Sequence, residues 1–183
     1  MTTGLVIVAI LAVGLFSLLG GLLVSRYRRY RGERIIVCPE TEKPAAVELD
    51  AVHAALTDTL GKADLHLKSC SRWPERQDCG QECLRQIEVA PEDCLVRNIL
   101  ANWYADKRCV FCGHDFGPIQ TWEHQLALLG PGAKTMQWGE VQADRLLDVL
   151  ATSKPVCWNC HIAESFRRQH PELVVDRPTR KVS

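Results

Sequence analysis

Nine cysteines stand in this 183-residue chain, and four of them form a pattern with chemical meaning. Cys109-Val-Phe-Cys112 is followed by Gly113 and, with 44 residues between Cys112 and Cys157, by Cys157-Trp-Asn-Cys160-His161. Two thiolates three positions apart on a tight turn can both reach one ion at about 2.3 Å, and two such turns close a tetrahedron of sulfur. This double C-x2-C arrangement is the signature of structural zinc. A soft, redox-inert ion suits the donor set of Cys109, Cys112, Cys157 and Cys160. Gly113 supplies the positive φ that such a turn tends to require. The long separation predicts an insert between the two turns, a hairpin followed by a helix.

Other chemistries compete for the same residues. Cys157-x-x-Cys160-His161 is also the attachment motif of haem c. In that alternative Cys157 and Cys160 bond the porphyrin and His161 ligates the iron, which leaves Cys109 and Cys112 without a role. A thioredoxin-like redox site needs a βαβ context, and Lys154-Pro155-Val156 is a poor one. Disulfides suit a secreted chain with an even count; nine is odd. A second set, Cys70, Cys79, Cys83 and Cys94, is spaced 9, 4 and 11 apart. It can hold a second zinc or an iron–sulfur cluster, or its members can be small buried hydrophobes. Cys38 is left over, either unpaired or a replacement ligand.

Cys109-x2-Cys112-Gly, then Glu123-His124, then Cys157-x2-Cys160-His161 before a helix resembles the treble-clef zinc fold and, more loosely, HNH endonucleases. The resemblance covers about 60 residues. It implies that the four cysteines hold a structural zinc, that His124 is a general base and that His161 ligates a catalytic divalent metal. The whole chain is similar to membrane-anchored bacterial proteins, a likeness that implies no particular function.

The elements that must position these cysteines begin with an anchor. Gly4 to Ser25 is 22 residues without a charge. As a helix it spans about 33 Å, enough for a hydrocarbon core of roughly 30 Å. A cleaved signal peptide needs a basic start and a shorter apolar run, so a retained transmembrane helix is expected. Arg26, Arg28, Arg29, Arg31 and Arg34 follow, with Tyr27 and Tyr30 between them. Short basic flanks stay cytoplasmic and tyrosines sit at the headgroups. The N-terminus is therefore expected outside, residues 26–183 in the cytoplasm, and the five arginines on anionic lipid.

Beyond the basic segment, Ile35–Val37 and Ala46–Leu49 read as strands around a Pro-rich turn. Leu49, Val52, Leu56 and Leu60 recur at helical spacing, with Gly61 as a stop. Leu65 and Leu67 alternate as in a strand. Pro91-Glu92-Asp93 predicts a helix start, with Leu95, Val96, Ile99, Leu100 and Trp103 on one face. Leu126 to Trp138 reads as two strands around Gly130-Pro131-Gly132. Helices are expected over 146–153 and 162–169, and a polar tail from Pro171. The fold class expected is α+β: one transmembrane helix (1–25), a basic segment (26–34), a cysteine-containing sub-module (35–104), a metal-binding module of treble-clef or zinc-ribbon type (105–170) and a flexible tail (171–183). Short helices and broken apolar runs call for a staple, and the cysteines provide it.

The rest of the sequence narrows function by exclusion. Basic and acidic residues balance at 22 each, and residues 35–183 carry 17 against 21, so a general nucleic-acid surface is not expected. The chain holds no glycine-rich phosphate loop, no G-x-S-x-G and no H-E-x-x-H. No catalytic residue is assigned. His53 and His66 read as structural, His114 as a group supporting a thiolate, and Trp158 as a shield over the metal. The expected function is that of a membrane-anchored zinc protein, a binding or scaffold module holding a protein partner at the cytoplasmic face. A haem c electron carrier and a metal-dependent nuclease are the alternatives.

Overall fold

The computed structural model describes residues 2–75, 78–117, 119 and 126–174. The architecture mixes α and β, and the chain divides into two compact units, residues 1–96 and 97–183.

The first unit opens with α1 (Thr2–Tyr30), which runs unbroken from the apolar segment through Arg26, Arg28 and Arg29. Its stretch Val6–Tyr30 is long and apolar enough to cross a membrane. Then come β1 (Glu33–Val37), β2 (Pro44–Leu49), α2 (Ala51–Thr59), β3 (Leu67–Cys70) and α3 (Leu84–Val89). The strands form an antiparallel sheet in the order β1-β2-β3, with Ile35 opposite Ala46 and a bulge between Glu48 and Leu49. Ile36, Val47, Leu49, Leu67 and Ile87 make its core together with Tyr30, from the end of α1. Asp50 caps α2 by accepting from the His53 N–H at 3.0 Å.

The helical spacing of Val52, Leu56 and Leu60 does mark a helix, but these side chains are exposed and α2 buries Ala54 and Ala55 instead. Alanine lets α2 come close to α1 and the sheet, and Arg26 then reaches Asp58 at 2.8 Å. The helix expected from Pro91 starts five residues later. Residues 91–94 form a turn, because Cys94 and Leu95 are drawn out to bridge β1: the Ile35 N–H donates to the Cys94 carbonyl at 2.8 Å.

The junction between α1 and β1 is the tightest feature of this unit. Gly32 takes φ +121°, and a Cβ there would lie 3.4 Å from Leu95. Two residues on, Arg34 is fully buried. Its Nη1 donates to the carbonyls of Tyr30 (2.8 Å) and Gly32 (3.0 Å), and its Nη2 to that of Arg29 (3.0 Å). The last carbonyls of a helix lack intrahelical donors and carry partial negative charge; the guanidinium satisfies both demands. Arg34 is thus inside the protein and not at a lipid surface, which corrects its placement among the headgroup arginines. Arg28, Arg29 and Arg31 remain exposed.

The second unit holds most of α4 (Val96–Tyr104), then β4 (Leu126–Leu129), β5 (Thr135–Gln137), α5 (Leu146–Thr152), β6 (Lys154–Cys157) and α6 (Trp158–Gln169). Its sheet has the order β5-β4-β6, antiparallel throughout. Pro155 is accommodated because β6 is an edge strand. Tyr104 is fully buried and donates to the Ala127 carbonyl at 2.6 Å. The Trp103 indole donates to the Leu150 carbonyl at 3.1 Å, which ties α4 to the end of α5.

Replacing Arg34 by Met strands three carbonyls at the end of α1. The expected loss is on the order of 3 kcal/mol, read as a lower denaturant midpoint of the full chain in detergent; Arg28→Met, on the exposed face, is expected to leave the midpoint in place.

Candidate metal centre

Leaving α4, the chain makes a tight turn over residues 108–115. The Cys109 N–H donates to the His114 carbonyl at 2.9 Å, and the Gly113 N–H returns to the Cys109 carbonyl at 2.9 Å. Gly113 takes φ +70°, as the motif predicts. Arg108 and Asp115 bridge the base of the turn. The Val110 N–H donates to the Pro155 carbonyl at 3.1 Å, which fastens the turn to β6. On the other side, Cys157 ends β6 and Cys160 lies in the first turn of α6. Opposite it, Leu126 of β4 pairs with Cys157. The 44 intervening residues therefore return through β4 and β5 to bring the two pairs together.

The sulfurs of Cys109, Cys112, Cys157 and Cys160 all lie within 4.8 Å of one another. Cys112 and Cys157 are 3.6 Å apart. A tetrahedron with metal–sulfur bonds of 2.3 Å has edges of about 3.8 Å, so four sulfurs at this spacing can hold one metal ion. The group packs on the core of its own unit, against Ala127, Val156 and Phe116. Cys109 is buried and Cys112 exposed, so the site is open on one side.

The local field sorts the thiols. Burial opposes ionisation of Cys109, but is outweighed by the N–H groups of Cys157, Cys112 and Phe111, and its thiol comes down to about 6. The Cys157 N–H stands 3.3 Å from the Cys109 sulfur. Burial pushes Cys160 far above the usual thiol range, and the neighbouring sulfurs push the same way. Burial also raises Cys157. Crowded together, the sulfurs cannot all ionise without a cation among them.

His161 does not join this group. It is buried in α6, 5.3 Å from the Trp158 ring, and its Nδ1 has no hydrogen-bond partner among the described residues. Trp158 lies against His161 and is only half-buried. His114 contributes its backbone carbonyl while its side chain is exposed. Glu123 and His124 lie outside the described residues.

The other cysteines fall in the first unit. Cys70, Cys79 and Cys83 line one cavity, and Cys38 lines it with them. Cys94 is not among the lining residues; its sulfur faces the Ala90 carbonyl at 3.4 Å and the Pro91 carbonyl at 3.6 Å. Burial raises its thiol, an effect that Arg34 partly offsets.

A further group escaped the sequence reading. Asp64 accepts from both His53 and His66, each at 3.1 Å, and the two rings meet edge to face. These hydrogen bonds lower the Asp64 carboxyl. Asp64 stands two residues from His66 in sequence but eleven from His53, and only the fold brings His53 to it. The trio is half-exposed or exposed, and its mutual hydrogen bonds account for it without an ion.

No protein family, curated protein or solved structure matches this chain.

Because Cys157 and Cys160 hold their protons above neutral pH, adding zinc to the metal-free protein at pH 7 is expected to release protons into unbuffered solution. A pH-stat reads the release directly. By the same sign, lowering the pH returns those protons and expels the metal.

Proposed function

We propose that this protein is a membrane-anchored zinc protein, its zinc held by Cys109, Cys112, Cys157 and Cys160, acting as a binding or scaffold module at the cytoplasmic face. The spacing of the four sulfurs carries the metal part of this reading. They come from two segments far apart in sequence and stand at the separations one tetrahedral ion needs. All-thiolate coordination selects a soft cation, and the closed four-ligand set suits a structural ion rather than a catalytic one, which keeps an open position. The ion's role is to hold the 108–115 turn, β6 and α6 together.

Topology rests on α1 and its basic end. The stretch Val6–Tyr30 can cross a bilayer, and Arg28, Arg29 and Arg31 are exposed where it leaves the apolar segment. The tendency of basic flanks to stay on the cytoplasmic side supports putting the two units there, in a reducing compartment where thiolates persist as ligands.

The same geometry weighs against covalent haem. Thioether bonds at Cys157 and Cys160 would remove both from the four-sulfur group, and a porphyrin between them would have to displace the Cys109–Cys112 turn that packs against them.

Elemental analysis of the purified chain is expected to find zinc and no haem absorption. Structural zinc contributes on the order of 10 kcal/mol to folding in small modules. Cys109→Ser and Cys160→Ser should each remove that ion and melt the second unit at far lower temperature; an unchanged melting curve refutes the structural role. Protease added outside intact cells should leave residues 35–183 uncut, and their digestion would reverse the topology.

A further inference from the structure

The first unit contains a second turn built like the one that presents Cys109. The Cys109 N–H donates to the carbonyl five residues on, His114, and the N–H four residues on, Gly113, returns to the Cys109 carbonyl, each at 2.9 Å. At Cys38 the N–H donates to the carbonyl five residues on, Lys43, at 2.9 Å. The N–H four residues on, Glu42, returns to the Cys38 carbonyl at 2.8 Å. The fourth position has positive φ in both turns, +70° at Gly113 and +53° at Glu42. In both, the amides two and three residues on face the sulfur, Phe111 and Cys112 in one, Glu40 and Thr41 in the other. Glu42 is not glycine, so this turn holds a backbone conformation that its residue disfavours.

What this turn faces is a cavity of about 250 Å³, lined by Cys38, Cys70, Cys79 and Cys83. One water needs only about 15 Å³. Cys70 ends β3 and Cys83 immediately precedes α3. Between Cys79 and Cys83, Gln81 is held at φ +54° while its side chain accepts from the Leu67 N–H at 3.1 Å. Two more lining groups, Arg72 Nε and Trp73 Nε1, are buried donors without a partner among the described residues. Buried N–H groups are rarely left so; beside four sulfurs they suit an anionic thiolate-bound centre, whose sulfurs would accept from them. The fields of Cys38, Cys70 and Cys79 all reach Cys83, which places each of the three within electrostatic range of that sulfur.

We propose that Cys38, Cys70, Cys79 and Cys83 are the ligands of a second thiolate-bound metal centre, in which Cys38 takes the place that sequence spacing gave to Cys94. Among the described residues no three of these sulfurs lie within 4.8 Å of one another, whereas the four of the other centre do. The roomy cavity leaves space for an iron–sulfur cluster, whose ligands stand around several metal atoms; a single soft cation would draw the same four inward. The shared chemistry is a soft metal on four thiolates, and it does not depend on the zinc at Cys109.

The test uses the full chain in detergent, purified without oxygen and analysed for zinc, iron and acid-labile sulfide. Cys38→Ser and Cys79→Ser are each expected to lose one whole centre, Cys94→Ser to lose none, and Cys109→Ser to lose only the other. Iron with sulfide in the lost fraction identifies a cluster, and zinc alone a single ion; either supports the ligand set. Should a variant fail to fold, alkylation of the unaltered protein decides. Cys38, Cys70, Cys79 and Cys83 should react only after chelation, with Cys94 unaffected. Metal content unchanged by Cys38→Ser and Cys79→Ser, loss of a centre in Cys94→Ser, or labelling of the four regardless of chelator would overturn the proposal.

Discussion

Four sulfur atoms held within 4.8 Å of each other impose the main constraint on the second unit. Uncharged thiols at that distance make poor hydrogen bonds, and thiolates repel. A geometry that brings donors to them, and that can hold a cation among them, makes the crowding favourable. The turn at 108–115, the edge strand β6 and the first turn of α6 all serve that geometry. The N–H of Cys157 faces the Cys109 sulfur, the Pro155 carbonyl holds the turn, and the helix N-terminus adds its positive end. Small Ala127 and Val156 lie beneath, fully buried, so that the sulfurs rest on the core and are part of it.

In the first unit another buried charge plays the organising part. Arg34 closes the carbonyl end of α1 at the point where the chain turns into β1, and Leu95 comes back to pair beside it. The bridge to Leu95 explains why Pro91-Glu92-Asp93 opens no helix despite its good starting residues. A local preference worth a few tenths of a kcal/mol per residue gives way to backbone pairing that the fold requires.

Much of this was readable in the residues. The C-x2-C pairs and Gly113 gave the turn at 108–115 and the cysteines that cluster with it, because the turn is fixed by local spacing. The length of the apolar run gave α1, and Gly130-Pro131-Gly132 gave the β4–β5 hairpin. What spacing could not give was anything decided across the sheet. Cys38 and Cys94 are equally unremarkable in sequence, and only the β1–β2 turn and the bridge to β1 separate them. The face that α2 buries was also hidden, since Val52, Leu56 and Leu60 have the stronger apolar signal while Ala54 and Ala55 fit the space beside α1. Helix α3, six residues long, is too short for periodicity to mark. Arg34 looked like one more member of a basic run, and its burial follows from Gly32 folding the chain back onto α1.

The foot of α1 has a mechanical consequence. No slack chain separates the long helix from its sheet: Tyr30 is in the core, Arg34 locks the last carbonyls, and Arg26 grips Asp58 from the flank. A stalk clamped in this way cannot swivel on its load. In a bilayer, any change in helix tilt, whether from lipid thickness or a neighbouring span, would be geared straight into the attitude of the three-stranded sheet.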